Sequence, residues 1–350
     1  YNSIDHWVGV PVGVGLWTSS EPTFLFRGSY SMFSDINKQI TILQSRGLKI
    51  DNNSKTRNLL IDHNYYNVIN GFKEPFLDKT QCSEVYKNGT TFEEIFALYE
   101  FDRKLRNLIL DYTLLIENSL KTKIAYEFAK KYGEYAYLNP NSYTFNNHQQ
   151  KNKTINLLAR IMDKIDKESN SGIYLHFISL GKEIPIWAAT SFFDFGTIRT
   201  LYACLEDSLA FDIANYYSIN KTELLSFLSY INMYRNVCAH DNRIMKYIIF
   251  KNDFSISNTK IHRNMNLNTN SKNEYIVGKR DLFSLLISFK YLLREKTFTE
   301  FFDKMKSLFQ ELKIKLNTIS IDDIYKEYRL PLSDFNTGQK DWTEIATISK

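Results

Sequence analysis

From Phe33 onward the apolar positions recur at the spacing of an α-helix. Ile36, Ile40 and Leu43 share one face, and Gly47, in Ser45-Arg46-Gly47-Leu48, is placed to end that helix. A second helical run extends from about Ser54 to Asn64, with Leu59 and Leu60 inward. Thr91 and Glu94 make a capping box. The stripe that follows is Ile109, Tyr112, Ile116, Leu120, Ile124 and Phe128, and it runs to about Lys131, ahead of Gly133. Some 40 residues at about 1.5 Å each span roughly 60 Å, so a break or bend is expected there.

Further helices are expected over 151–168, with Leu157, Leu158, Ile161 and Ile165 aligned, and from Pro185, which suits a first turn, to Gly196. Thr197 is expected to cap the next helix, and Trp187 to fill space in the interior. Asn220 and Glu223 form another capping box. Two more helices follow, over about 279–294 and 299–316, and the tail from Asn317 reads as loosely packed. Residues 79–91 and 140–150 read as connections, and 250–273 as a polar, Asn-rich loop.

The division expected is a leader over 1–31, an N-terminal helical region over 32–90, a helical domain over 91–316 and a tail over 317–350. In the leader Gly9, Pro11, Gly13 and Gly15 alternate with Val and Trp, and no helical period survives. It lacks the basic start and cleavage site of a signal peptide. Two readings stay open: residues ahead of a native start at Met32, which is favoured, or an extended surface arm.

Composition agrees with an all-α fold. Six prolines and thirteen glycines in 350 residues punctuate the chain sparsely, and 43% hydrophobic content supports a sizeable core. Cys82, Cys204 and Cys238 form no C-x-x-C pair, and the six histidines have no ligand spacing. Neither a disulfide framework, a metal site nor a cofactor is expected, and a reducing cytoplasm fits. No apolar run reaches the length of about 18–20 residues that spans a membrane. The net charge of +5 permits nucleic-acid binding without requiring it.

The chemistry concentrates in Ile231-Asn-Met-Tyr-Arg-Asn-Val-Cys-Ala-His-Asp-Asn-Arg243. Arg235 and His240 make an R-x4-H pattern, with Asn236 between them and Arg243 a turn later. Arginine grips phosphate in a fork, and histidine moves protons near neutrality. On an ideal helix Leu224, Phe227, Ile231, Tyr234 and Cys238 fall on one arc, which must face the core. Asn232, Asn236, His240 and Arg243 fall on a separate polar arc, so His240 is not on the apolar face, which weakens the reading of a buried core histidine. Arg235 borders the apolar arc, about 140° from His240 on a wheel of about 3.6 residues per turn. Three arrangements would accommodate it: a pair with an acid such as Glu117, a local π-bulge, or a side chain that reaches round. The spacing alone is weak, because a helical histidine is more often structural.

Three blocks in order carry a resemblance to a known family. They are Ser45-Arg46-Gly47-Leu48 with Asn64-Tyr65-Tyr66 and Gly71-Phe72, then Pro185-Ile186-Trp187 with Phe195-Gly196-Thr197, and the Arg235–Arg243 run. Leu98–Arg106 and Ile116–Lys121 add to it as a first long helix. Together they resemble the bacterial abortive-infection Abi-like proteins (the AbiD/AbiF group) of the HEPN superfamily, over roughly Phe33 to Leu316. The resemblance implies an all-α HEPN-type bundle with N-terminal helical additions. It also implies a metal-independent endoribonuclease in phage defence or a toxin role, associated with a small noncoding RNA. The site would form where two protomers meet, in a homodimer of the bacterial cytoplasm. Arg235 would hold the phosphate, His240 would act as general acid or base, and Asn236 would orient one of them. The expected products are 2′,3′-cyclic phosphate and 5′-OH ends.

RNA is the expected partner; DNA and membrane are not expected. Across Asp241 to Arg280 eight Lys or Arg stand against three Asp or Glu, so the formal excess of the chain lies beside the motif. Candidate RNA contacts are Arg243, Lys246, Lys251, Lys260 and Arg263 there, with Lys121 and Arg106 on the long helix. A solvated face is the plainer reading of such charges. Two rival functions remain: a catalytically silent RNA-binding protein in a ribonucleoprotein complex, and a purely structural helical protein with Arg235 in a buried ion pair.

Overall fold

The computed structural model describes residues 35–247 and 255–350. The leader over 1–31, Met32 and Lys251 lie outside the described residues. Among the described residues the fold is all-α, as the punctuation of the sequence indicates, with isolated bridges and no sheet.

Helix α1 (Ile36–Ser45) ends at Gly47, whose φ of 89° suits glycine, while the Leu48 N–H reaches back to the Leu43 carbonyl. Helix α2 (Asn53–His63) is followed by a π-helical turn over Tyr66–Asn70 that buries Val68 and Ile69. Tyr65 is half-buried, whereas Tyr66 is exposed and does not pack in the core.

Helix α3 (Phe92–Tyr132) is the axis of the molecule. Its Thr91–Glu94 capping box forms as read from the sequence. The helix is continuous over 41 residues, without the expected break. Neighbours along its whole length remove the need for one: its apolar stripe is buried from Phe92 to Phe128. Helix α4 (His148–Lys167) and the short α5 (Gly172–Ser179) and α6 (Ile186–Ala189) follow. Next come α7 (Phe195–Cys204), α8 (Asp207–Asn215) and α9 (Lys221–Ala239). Helix α9 packs on α3, α7 and α8.

Two readings in this region change. Trp187 is exposed rather than interior, because the single turn of α6 buries Ile186, Ala188 and Ala189 and leaves Trp187 on the other side. Gly196 lies inside α7 and does not close the preceding helix. The cap is Asp194, whose carboxylate accepts the Thr197 N–H at 2.7 Å. A Cβ on Gly196 would meet Asp194 at 3.4 Å and the Asn232 side chain of α9 at 3.9 Å, ordinary contact distances, so the space there does not require glycine.

Helix α10 (Lys260–Asn264) and its flanks replace the expected solvated loop. Ile256, Ile261, Met265 and Leu267 are buried, enough apolar anchors to fold a segment whose other residues are polar. Helix α11 (Leu282–Leu292) is buried throughout and packs on α9. Helix α12 (Glu295–Lys315) lies along α3, with Phe309 4.6 Å from Phe101 and Phe301 5.1 Å from Tyr112 between ring centres.

The tail is packed, contrary to expectation. Helix α13 (Ile321–Glu327) and the turn at Trp342–Ala346 bury Ile324, Tyr328, Trp342 and Ile345. Its anchor is polar: one Glu94 oxygen accepts the N–H groups of Asn317 and Thr318, both at 2.7 Å. Burial opposes ionisation of Glu94, but these bonds and that from Thr91 outweigh it and hold its pKa below the usual value.

Candidate active site

Helix α9 presents the motif at its C-terminal end. The Asn220–Glu223 box starts the helix, and Leu224, Phe227, Ile231, Tyr234 and Cys238 are all buried. Asn236 and His240 are exposed and Asn232 is half-buried, so the polar arc faces outward in part. The helix stays regular to Ala239, with no π-bulge, and His240 is its C-cap. Asp241 then takes φ 56°, and the Asn242 N–H returns to the Val237 carbonyl at 3.0 Å. This is the hydrogen bonding of a Schellman end, with aspartate where glycine is usual.

An aspartate in the left-handed region costs about 1 kcal/mol or more relative to glycine. Arg106 of α3 offsets that by donating to the Asp241 carboxylate at 2.6 Å. Its other arm donates to Asp102 at 2.5 Å. Asp102 is fully buried and also accepts the backbone N–H groups of Ile244 at 3.2 Å and Met245 at 3.0 Å, and the Tyr328 hydroxyl at 2.7 Å. Burial pushes the Asp102 carboxyl above the usual carboxylate range despite Arg106 beside it. One turn of α3 therefore grips the chain on both sides of Asn242 and fixes the path that leaves His240.

Arg235 is half-buried, and its Nε is buried without a hydrogen-bond partner. No carboxylate pairs with it among the described residues. Glu117 is engaged elsewhere, at 2.8 Å from Lys121. Of the three arrangements expected for Arg235, neither the pair with Glu117 nor the bulge is present. A guanidinium held at a helix end with no acid to neutralise it is suited to an anionic ligand.

The other candidate cations separate into two groups. Arg106 is buried with both arms on carboxylates, so it is not available to RNA phosphate; it is a positioning residue. Lys121 is occupied by Glu117. Lys246 lies 2.5 Å from Glu74 and 3.2 Å from Glu327. Arg243 donates to the Gly71 carbonyl, which ties the motif to the Asn64–Phe72 block. Lys260 and Arg263 remain exposed, with no carboxylate partner among the described residues, and Lys272 in the same segment is exposed in the same way.

Asp102, Asp241 and Arg199 were not singled out from the sequence. Asp102 had a readable signal: an Asp and an Arg at i, i+4 on the buried face of α3, next to Leu98 and Leu105. Arg199 of α7 donates from Nε to Ser229 of α9 at 2.7 Å, and burial lowers its pKa. It extends the polar side of α9 beyond Asn232. Among the described residues no three His, Cys, Asp or Glu side chains gather as metal ligands, and no helix is long and apolar enough to cross a membrane.

The class so defined is an all-α protein whose R-x4-H motif is carried on one helix end and fixed by a long central helix. A family model described as Abi-like protein matches residues 58–246, more than half of the chain, and the chain belongs to that family. The match takes in α3 and the whole Arg235–Arg243 run, and family membership points to abortive infection. No curated protein and no solved structure matches the chain.

Proposed function

We propose that this Abi-like protein is a HEPN endoribonuclease of phage defence, whose site is completed by a second copy of the chain. The observation that carries the reading is Arg235. It lacks a carboxylate partner among the described residues, at the end of a helix that also exposes Asn236 and His240. A structural arginine in a buried ion pair, the plainest rival, has no acid among the described residues to support it.

In the proposed reaction the ribose 2′-oxygen attacks the adjacent phosphorus and the bond to the 5′-oxygen breaks. The 2′-hydroxyl proton passes to one His240, and the leaving 5′-oxygen takes a proton from another. The products are a 2′,3′-cyclic phosphate and a 5′-OH. Arg235 stabilises the charge that develops on the phosphoryl oxygens, and Asn236 orients the phosphate or the imidazole. Each chain contributes one Arg235 and one His240, whereas the reaction needs a proton acceptor and a donor. That need, with an exposed motif, supports a homodimer with the α9 ends facing each other. Lys260, Arg263 and Lys272 would extend the RNA surface, and a small noncoding RNA is the expected associate.

The test is cleavage of a labelled single-stranded RNA by wild type and His240→Ala, with and without EDTA. The variant should lose about 10²–10⁴-fold in rate and keep its melting temperature, and cleavage should survive EDTA. Equal cleavage by wild type and variant rejects the catalytic reading. RNA that copurifies with both proteins while neither cuts it supports the silent ribonucleoprotein instead. Light scattering that gives a strict monomer with and without RNA rejects the shared site.

A further inference from the structure

Arg280, Arg329 and Lys279 line one cavity of about 370 Å³, whose walls include none of Arg235, Asn236 or His240. The volume falls inside the range of about 300–1,000 Å³ that encloses small ligands. We propose that this cavity binds a phosphate monoester of nucleotide size, either a free nucleotide or the phosphorylated end of an RNA strand. The proposal is independent of the catalytic reading of α9.

The charge arrangement carries it. None of the three cations forms an ion pair with a carboxylate among the described residues, although two carboxylates border the cavity. Asp281 is turned inward: its oxygens accept the N–H groups of Gly278 at 2.9 Å and Ser284 at 3.0 Å, and it is close enough to feel Arg329 without pairing with it. Glu274 is bonded to Asn270 at 3.1 Å. Lys279 itself is held by neutral acceptors, the Ile256 carbonyl and Asn258 Oδ1. Burial, and then Arg280 beside it, bring the Lys279 pKa down to about 8. Two neighbouring cations in a partly buried site repel each other, and a doubly charged phosphate relieves that repulsion.

The rest of the lining suits the remainder of a nucleotide. Tyr275 borders the cavity, with its ring braced against the buried His262 ring at 4.8 Å between centres. An aromatic side chain fixed in this way offers a wall for a base. Ser255 and Asn273 add neutral hydrogen-bonding groups.

Calorimetric titration of the full chain tests the proposal. The four nucleoside 5′-monophosphates are compared with the four nucleosides, and a 5′-phosphorylated RNA trinucleotide with its 5′-hydroxyl counterpart. The phosphate-bearing member of a pair should bind at least about ten-fold more tightly, the scale of a charge-assisted hydrogen bond. Arg280→Gln and Arg329→Gln should each weaken that binding by about ten-fold and leave the melting temperature unchanged. Lys279 is left intact because it also holds backbone. Tighter binding of the phosphorylated trinucleotide identifies an RNA end as the ligand, and tighter binding of a monophosphate identifies a free nucleotide. Equal affinity with and without the phosphate overturns the proposal. So does an Arg280→Gln/Arg329→Gln protein that binds like wild type, or the absence of binding by every phosphorylated probe.

Discussion

Arg106 and Asp241 stand 135 residues apart in the chain and 2.6 Å apart in the fold. The bond decides how the segment after His240 leaves its helix, since Asp241 adopts a left-handed conformation that aspartate disfavours. Behind Arg106, Asp102 fixes Ile244 and Met245 by their backbone N–H groups. The buried acid and arginine of α3 act on the motif through Asp241 and the chain beyond it.

Removing one partner of the buried pair should be costly. Asp102→Ala leaves Arg106 short of a carboxylate and two backbone N–H groups without their acceptor. A loss of about 3–5 kcal/mol is expected in urea unfolding. Asp241→Asn should cost less than about 1 kcal/mol, because Asp241 is exposed. It should still slow cleavage by loosening His240, with kcat affected more than KM. An Asp102→Ala protein as stable as wild type would show that this grip contributes nothing.

Arg235 separates catalysis from stability. With no acid beside it among the described residues, Arg235→Met strands no charge. Its melting temperature should equal or exceed that of wild type, while cleavage falls by about 10²–10³-fold, as for loss of a group that stabilises transition-state charge. A clear drop in melting temperature would point to an ion pair with the chain beyond the described residues.

His262 should make the fold sensitive to acid. Its Nδ1 accepts the Thr259 N–H at 3.1 Å and its Nε2 lies 2.7 Å from the Gly278 carbonyl, a pattern that requires the neutral ring. Burial lowers its pKa from 6.5 to about 4. The folded state thus binds fewer protons than the unfolded chain between these values. Its stabilisation is complete above about pH 6.5 and is lost as the pH falls to about 4, some 3 kcal/mol in all. Asp281, raised to about 6 by burial, works in the opposite sense over part of that window. The readout is therefore the stability gap between wild type and His262→Asn, which should narrow from pH 7 to pH 4. A gap that stays constant rejects the assignment.

RNA affinity should report which cations are free. Replacing Lys260, Arg263 and Lys272 by Ala should reduce the slope of log K against log salt by about 0.7–0.9 for each phosphate no longer neutralised. Lys121→Ala should leave the slope unchanged, since Glu117 holds that lysine. The reverse pattern would place RNA along α3.

The sequence by itself determined where α1 ends, where α3 and α9 begin and which side of α9 is buried. Capping boxes at Thr91 and Asn220, the glycine at Gly47 and the apolar period of α3 and α9 are local signals, set by hydrogen bonds and spacing within a few residues. Those signals also isolated Asn236 and His240 as exposed groups before any neighbour was known. Only the tertiary structure decided what the charges do. Lys121 and one arm of Arg106 had partners within reach along one helix, yet the other arm of Arg106, Arg243 and Lys246 meet theirs across distant stretches of chain, and Arg235 meets no carboxylate among the described residues. The same holds for the tail, which Glu94 catches from 223 residues away. A cation's freedom to bind phosphate depends on whether a carboxylate lies opposite it in the fold, and local spacing carries that information only for partners one turn apart on the same helix.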